Sequence, residues 1–543
     1  MSVLSVPHHH ATAVVCFWEA MESHSRQFAA FPAVIEPGQS QLTYAELWRK
    51  VIAVEAALSA LGVQPGGCVA TILANGAEFL ATMLGVSRYC ACAPVNPFLE
   101  GAELEEILRR IRPAAIVLMD GPGSAKHRRA AEKFGVPVVA ARELHSAPTI
   151  AFNHKKKGAS LSRMKMFSTE VTKGASRTAF ILATSATTGR AKLATHSQAS
   201  VSASTTSICE ALQLSNGDRA LLLCPAFHIL GLSSALAQWM AGGAVIAPRQ
   251  FEAAAFSQWI ASYDTSWYAA VPATHSAVLH HLNSFPLSRK NTLRFVCSGD
   301  TPLTPGLAAE LSRKLSAAVV NTYGMTETGP LACSIAADFP SQMPIAEDRS
   351  ATVRFVGKSI GPEIAIMDPD HSLLGAGRTG EIVVRGKMNC TGYLDDPEAT
   401  AGAFHDGWFR TGDLGWKDKM HNLFLLGSIK EVIYKGEEMI LPHEVEAVLD
   451  SHLNVYKSVA FAIPHASLGE DLVCAVALRE GATLDEDELR GYALGNLSHS
   501  KAPSRVYFID EIPHTLSGKP QRRLAAETIR RIREAAATDG WDA

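Results

Sequence analysis

The chain has 543 residues, 47% hydrophobic and 19% charged, with a formal net charge of −3. That length is more than one hydrophobic core serves, so two or more domains are expected, and the near-balanced charge excludes the global basic field of a nucleic-acid-binding chain. The ten cysteines are scattered, only Cys90 and Cys92 lie close together, and no second pair completes a zinc site, so free thiols in a reducing compartment are expected.

The first residues, MSVLSVPHHHATAVV, have no basic start and no long apolar run, so they do not read as a signal peptide. His8 to His10 read as a tail rather than a metal site. Residues 42 to 118 alternate in pattern. LTYAELWRKVIAVEAALSALG, EFLATMLGVSRY and ELEEILRRIR have helical apolar spacing, and CVATILA, CACAPVN and AAIVLM read as strands. Such alternation predicts a parallel sheet covered by helices. Residues 150 to 178 are basic and irregular, the composition of a solvated linker.

Alternation resumes over residues 179 to 335. No Asp, Glu, Lys or Arg lies between Arg219 and Arg249, a window long enough to span a bilayer. Pro225, Gly231, Gly242 and Gly243 break it into strand ALLLCP, helix SSALAQWMA and strand AVIAP, so no membrane span is expected. Residues 351 to 426 are mainly β in pattern. After Lys430 comes a more charged α+β unit ending in the basic helix RRLAAETIRRIREAA. The expected fold class is α/β: a large N-terminal domain (1–429) of parallel sheets covered by helices plus a β subdomain, then a small mobile C-terminal α+β domain (430–543). The ending DGWDA carries no peroxisomal or lipidation signal, and a cytoplasmic protein is expected.

Among the motifs, GAGRTG at 375 to 380 fits a dinucleotide fingerprint, but the strand EIVVRG follows where a helix is required, so a turn is expected. HEVEA at 443 lacks the second His of a zinc protease. ILATSATTGRAKLATHSQAS, residues 181 to 200, sets small hydroxyl residues between a strand and a helix pattern. There backbone N–H groups and hydroxyls can converge on phosphate oxygens, with Lys192 adding a positive charge. A plain polar turn has the same composition. NTYGMTETG (321–329) places Thr326 beside Glu327, GWFRTGDLG (407–415) sets Asp413 in a tight turn, and IPHTLSGKPQRR (512–523) ends a flexible stretch on Lys519. A carboxylate beside phosphate is best explained by Mg²⁺.

In this order and spacing the chain resembles the adenylate-forming ligase superfamily of acyl-CoA synthetases, peptide-synthetase adenylation domains and luciferases. TSATTGRAK, CPAFHILG, YGMTE, GWFRTGD and PHTLSGK follow as that family orders them, and LTYAEL and NPFLEGAELEEIL also match. The likeness covers roughly residues 40 to 530 and is nearest to the small-acid and oxalyl-CoA synthetase-like branch. It implies an ATP-dependent acid–CoA ligase working through an acyl-adenylate, with ATP, Mg²⁺ and coenzyme A as its cofactors and cosubstrates. Thr184, Ser185, Thr187, Thr188, Gly189 and Lys192 would line the phosphate loop. Thr326 would touch the α-phosphate and Glu327 the Mg²⁺. Tyr323 would stack on adenine beside Gly324, with Gly299, Asp300 and Thr301 along its other edge. Asp413 would hold the ribose, and Lys519 would stabilise the charge on the oxygen joining acyl and phosphate. His228, Ser298 and Pro330 would frame the acid, His228 as a gate, and Lys430 would be the hinge on which the small domain swings.

Some positions depart from the pattern. Ala186 and Ala191 replace a glycine and a proline of the loop. Ser428 stands where the family has an arginine contacting the nucleotide, and Glu437 where a second glycine is common. A serine cannot supply the missing charge. Two other classes therefore stay open: an adenylating enzyme that loads a carrier-protein thiol or an amine, and a relative that binds nucleotide or acyl groups without turnover.

Overall fold

The computed structural model describes residues 16–39, 41–119, 121–145, 174–184, 191–287, 291–335, 354–514 and 520–538. Among these, the strands form three sheets. In the smaller sheet of the large domain, Thr178–Ala183, Ala91–Pro94, Cys68–Ile72, Ala115–Leu118 and Val138–Ala140 run parallel. Each is short and almost wholly buried, as strands covered on both faces must be. The helix Tyr44–Ala60 starts at a capping box: the Thr43 hydroxyl accepts from the Glu46 backbone N–H while the Glu46 carboxylate accepts from the Thr43 N–H. This satisfies two of the amide donors that a helix start otherwise leaves orphaned.

The uncharged window folds as expected into strand Arg219–Leu222, helix Ile229–Met240 and strand Ala244–Ile246, the two strands pairing in parallel. Its helix is buried from Gly231 to Trp239. The polar groups it carries inward are matched: the Trp239 indole donates to the Ala33 carbonyl at 2.9 Å, and Gln238 accepts from the Trp267 indole at 2.7 Å. Among the described residues no helix is long and apolar enough to cross a membrane.

The large sheet changes character along its width. Pro32–Ile35, Ala244–Ile246, Arg219–Leu222, Trp267–Ala270, Phe295–Ser298 and Ala318–Met325 are parallel. Gly329–Ile335 then folds back antiparallel on Ala318–Met325, and Arg354–Ser359, Leu423–Ser428, Trp408–Lys417, Gly380–Arg385 and Glu363–Met367 continue antiparallel as the β subdomain. GAGRTG is the connection into Gly380–Arg385 from Leu373–Leu374 and opens no helix. The third sheet holds Ile433–Lys435, Glu438–Ile440, Val455–His465, Gly469–Leu478 and Arg505–Phe508. Helices Pro442–Asp450 and Glu486–Asn496 pack on it around Val445, Leu449, Leu472 and Leu489. Glu437 lies exposed in the turn after Gly436, whose φ is +64°.

The reversal between Ala318–Met325 and Gly329–Ile335 is tight. A Cβ on Gly324 would lie 2.1 Å from the Gly329 carbonyl oxygen, a backbone atom that cannot move aside. Gly324→Ala should therefore lower stability by about 1–3 kcal/mol, read as a lower urea midpoint for the large-domain transition; an unchanged midpoint would show that the turn has slack.

Candidate active site

Parallel strands deliver side chains at their C-terminal ends, where open α/β sheets bind ligands. After Arg219–Leu222 the chain reaches His228, which immediately precedes helix Ile229–Met240. Its imidazole is half-buried and has no hydrogen bond among the described residues, unlike a satisfied core histidine. Burial lowers its pKa, opposed by the charge of Asp300. Strand Phe295–Ser298 ends on a fully buried Ser298 whose hydroxyl has no hydrogen-bond partner among the described residues. Gly299 follows, and a Cβ there would lie 2.6 Å from the Thr322 hydroxyl and 3.5 Å from Leu230. The next residue, Asp300, is exposed, with φ at +68°; Thr301 lies in the same loop.

The third strand, Ala318–Met325, carries Tyr323. Its ring is buried in the apolar cluster with Val356, Ile382 and Met388, and its hydroxyl donates to Asp413 Oδ2 at 2.7 Å. Burial, then the Asp413 charge, holds that phenol protonated far above its ordinary range. Asp413 is presented by a turn that Glu381 organises: its two carboxylate oxygens accept from the Gly412 N–H at 2.9 Å and from Arg410 Nε at 2.8 Å. Two expected nucleotide contacts, separated by 90 positions, thus touch each other.

At the hairpin tip, Glu327 accepts at Oε1 from the Tyr393 hydroxyl at 2.8 Å, and Lys192 Nζ lies 4.4 Å from the centre of that same ring. Lys192 is itself anchored: its N–H donates to the Thr184 hydroxyl at 3.0 Å and its carbonyl accepts from the Thr184 N–H at 2.9 Å. Behind the tip the buried His196 bonds through Nε2 to the Thr326 carbonyl at 2.8 Å, and burial pushes its pKa down to about 4. The imidazole is therefore neutral, with Nε2 carrying the proton. The Thr326 hydroxyl and Glu327 Oε2 have no hydrogen bond among the described residues. A half-buried carboxylate beside hydroxyls fits Mg²⁺, which takes one or two carboxylates and completes its shell with phosphate and water. Among the described residues no three His, Cys, Asp or Glu gather into a closed metal cage.

Ser185, Ala186, Thr187, Thr188, Gly189 and Lys519 lie outside the described residues. Their flanks are fixed. Arg110 donates to the carbonyl of Ala191, the position where the pattern expects proline, and His514 bridges to Pro520 across the loop that ends in Lys519. Pro330 sits opposite Gly324 in the hairpin. Lys430 is exposed in the single helical turn Ile429–Glu431 between the second and third sheets. A cavity of about 20 Å³ lined by His196, Ser204, Ser233, Thr328 and Gly329 has room for one water and none for an organic acid. Tyr393, His196, Glu381 and Arg410 were not singled out from the sequence. The GYLDD stretch carrying Tyr393 was the available signal for one of them, being a glycine–aromatic pair next to acidic residues.

Comparison with known proteins places these motifs in context. The model of the AMP-binding enzyme family matches residues 21–394, and that of the AMP-binding enzyme C-terminal domain matches residues 444–519. An oxalate–CoA ligase of Arabidopsis thaliana is 32% identical over 512 residues, covering 93% of this chain and 97% of that one. The crystal structure of ATP-bound MatB from Rhodopseudomonas palustris superposes with a TM-score of 0.80 at 26% identity, covering 96% of this chain and 100% of that one. The apo structure of the same protein, at the same identity, covers 94% of this chain and 99% of its own, and gives 0.66.

Burial also pushes His145 and His275 down to about 4. An unfolded imidazole takes up its proton near 6.5, so between about pH 6.5 and 4 unfolding binds protons. Stability is therefore complete above about pH 6.5 and falls as the pH drops toward 4. Each such histidine contributes up to about 1.4 kcal/mol per pH unit to that slope. His196→Gln should flatten the acid side of a plot of thermal midpoint against pH by one proton's worth; an unchanged slope would mean that His196 is charged in the fold.

Proposed function

This chain belongs to the AMP-binding enzyme family, and we propose that it is an ATP-dependent carboxylic acid–CoA ligase that works through an acyl-adenylate. The observation that carries this reading is the pair of contacts flanking one hairpin. Tyr323 meets Asp413 on one side, and Lys192 meets Glu327 through Tyr393 on the other. A nucleotide laid across the strand ends would set adenine and ribose against the first pair and its phosphates against the second.

In the first step a carboxylate oxygen of the acid attacks the α-phosphorus of ATP, and the bond to pyrophosphate breaks. Lys192, the Thr184 and Thr326 hydroxyls and the amides of the loop at 185–190 would hold the phosphates. Mg²⁺ bound at Glu327 would neutralise part of their charge. Lys519 would reach the oxygen joining acyl and phosphate; His514 and Pro520, on either side of its segment, pair with each other. In the second step the coenzyme A thiol attacks the acyl carbon and AMP leaves. Preorganised charge and position do the work in both steps. Turning about Lys430 would let the small domain serve each step in turn. The better superposition on the ATP-bound form of MatB than on its apo form supports a domain arrangement set for the first. The segments that would frame the acid, around His228, Ser298 and Pro330, carry Asp300 and no Lys or Arg, which supports a monocarboxylic acid.

Pyrophosphate release with Mg·ATP should depend on an added acid and be accelerated by coenzyme A. Lys519→Ala should slow it by about a hundredfold or more while sparing transfer from a preformed acyl-adenylate to the thiol. Acid-dependent release with no effect of coenzyme A would assign a carrier protein or an amine as acceptor. Nucleotide binding without release, across short, medium, aromatic and dicarboxylic acids, would assign a binding protein instead.

A further inference from the structure

The chain lacks an arginine at 428, yet strand pairing sets another arginine on the same face of the sheet. Strand Arg354–Ser359 pairs with Leu423–Ser428, placing Arg354 opposite Leu425. Strand Trp408–Lys417 pairs on the other side, with Gly415 opposite Leu425 and Asp413 opposite Ser428, an extra residue being taken up between. Asp413 and Gly415 are two residues apart and share a face. Arg354, Leu425, Ser428 and Asp413 therefore all lie on one face of the sheet.

The charges around Arg354 are unevenly spent. Glu446, Glu431 and Asp413 attract it, and Arg522 repels it. Both glutamates are engaged by Arg522, at 3.3 Å to Glu431 and 3.2 Å to the second oxygen of Glu446. Glu446 also accepts from the Ala460 N–H at 2.8 Å. Asp413 accepts from Tyr323. Arg354 is half-buried, and its guanidinium makes no hydrogen bond or ion pair among the described residues. Five N–H donors are thus held on the face that carries Asp413, with no hydrogen-bond partner among the described residues. Ser428 spends its hydroxyl on the Gly412 carbonyl at 3.4 Å and brings no charge.

We propose that Arg354 is a nucleotide-positioning residue that supplies, from the neighbouring strand, the cation missing at position 428. The inference rests on the nucleotide reading of the site given above. It names a group that composition alone cannot reveal, because the two positions are 74 residues apart in the chain and come onto one face of the sheet only through strand pairing.

Calorimetric titration of the full chain with AMP and with a non-hydrolysable ATP analogue tests it. Arg354→Gln should weaken binding by about ten- to a hundredfold, the value of a charge-assisted hydrogen bond, at an unchanged thermal midpoint. Adding Ser428→Arg to that variant should bring affinity back to within about threefold of wild type, a rescue that a merely structural tie between Arg354 and the small domain would not give. Unchanged affinity in Arg354→Gln overturns the proposal, and so does a loss that Ser428→Arg fails to restore. Should Arg354→Gln not fold, Ser428→Arg in the wild-type chain decides: a gain of less than about threefold is expected where the role is already filled, and a gain of tenfold or more overturns it. Wild-type protein that binds neither nucleotide would remove the ligase reading along with this inference, whereas failure of the variants alone leaves that reading standing.

Discussion

The arrangement depends on one reversal of direction, where the large sheet stops running parallel and turns back at residues 325 to 329. The turn is closed by backbone: the Gly324 position has no room for a side-chain carbon against the Gly329 carbonyl. Tyr323 lies on the hairpin stem, opposite Ala332, and Glu327 at its tip between Met325 and Gly329. The β subdomain then follows antiparallel and carries Asp413 back to Tyr323. The smaller sheet meets the tip from the other side, through Gly392–Tyr393 pairing on Leu193–Ser197. Two separately built sheets are registered to each other by contacts converging on a turn of a few residues.

Each of those contacts is buried or half-buried, and each polar group in them has a reason to be there. Tyr323 and Tyr393 stay protonated because burial and a facing carboxylate both oppose loss of the proton. They are thus fixed as donors, and Asp413 and Glu327 as acceptors. His196 is fixed as a neutral donor to the Thr326 carbonyl. Locking donor and acceptor roles in this way keeps the site in one hydrogen-bonding state before any ligand arrives, which is what preorganised electrostatic catalysis requires.

Much of this was legible in the linear chain. The elements read from apolar spacing match those observed because the parallel strands are buried on both faces and so spelled as unbroken apolar runs, CVATILA and ALLLCP among them. The charge-free window was resolved by its prolines and glycines. The motif residues on strand ends were legible because the motifs are local in order: a strand, a glycine, then a polar group. Tyr393 facing Glu327, His196 behind Thr326, and Arg354 on the face of Ser428 were not. Each depends on register between strands far apart in the chain, and register is a property of pairing. Of the basic stretch 150–178 expected to be a linker, residues 150–173 lie outside the described residues, and the strand Thr178–Ala183 begins at its end.

The position of the site relative to the sheet ladder has a consequence for how such an enzyme changes over generations. The last paired residues of the parallel strands are Ala270 against Ser298 and Ser298 against Asn321. Gly299, Asp300 and Thr301 come just beyond that limit, and Cys224 to His228 lie past the end of strand Arg219–Leu222. A substitution at Thr301 or His228 alters what a ligand meets without breaking a ladder hydrogen bond, whereas Gly299 is still tied to the sheet, its N–H donating to the Ala270 carbonyl at 3.3 Å. The fold's stability and the shape of its pocket are thus largely inherited through different residues, and the second can drift while the first is kept.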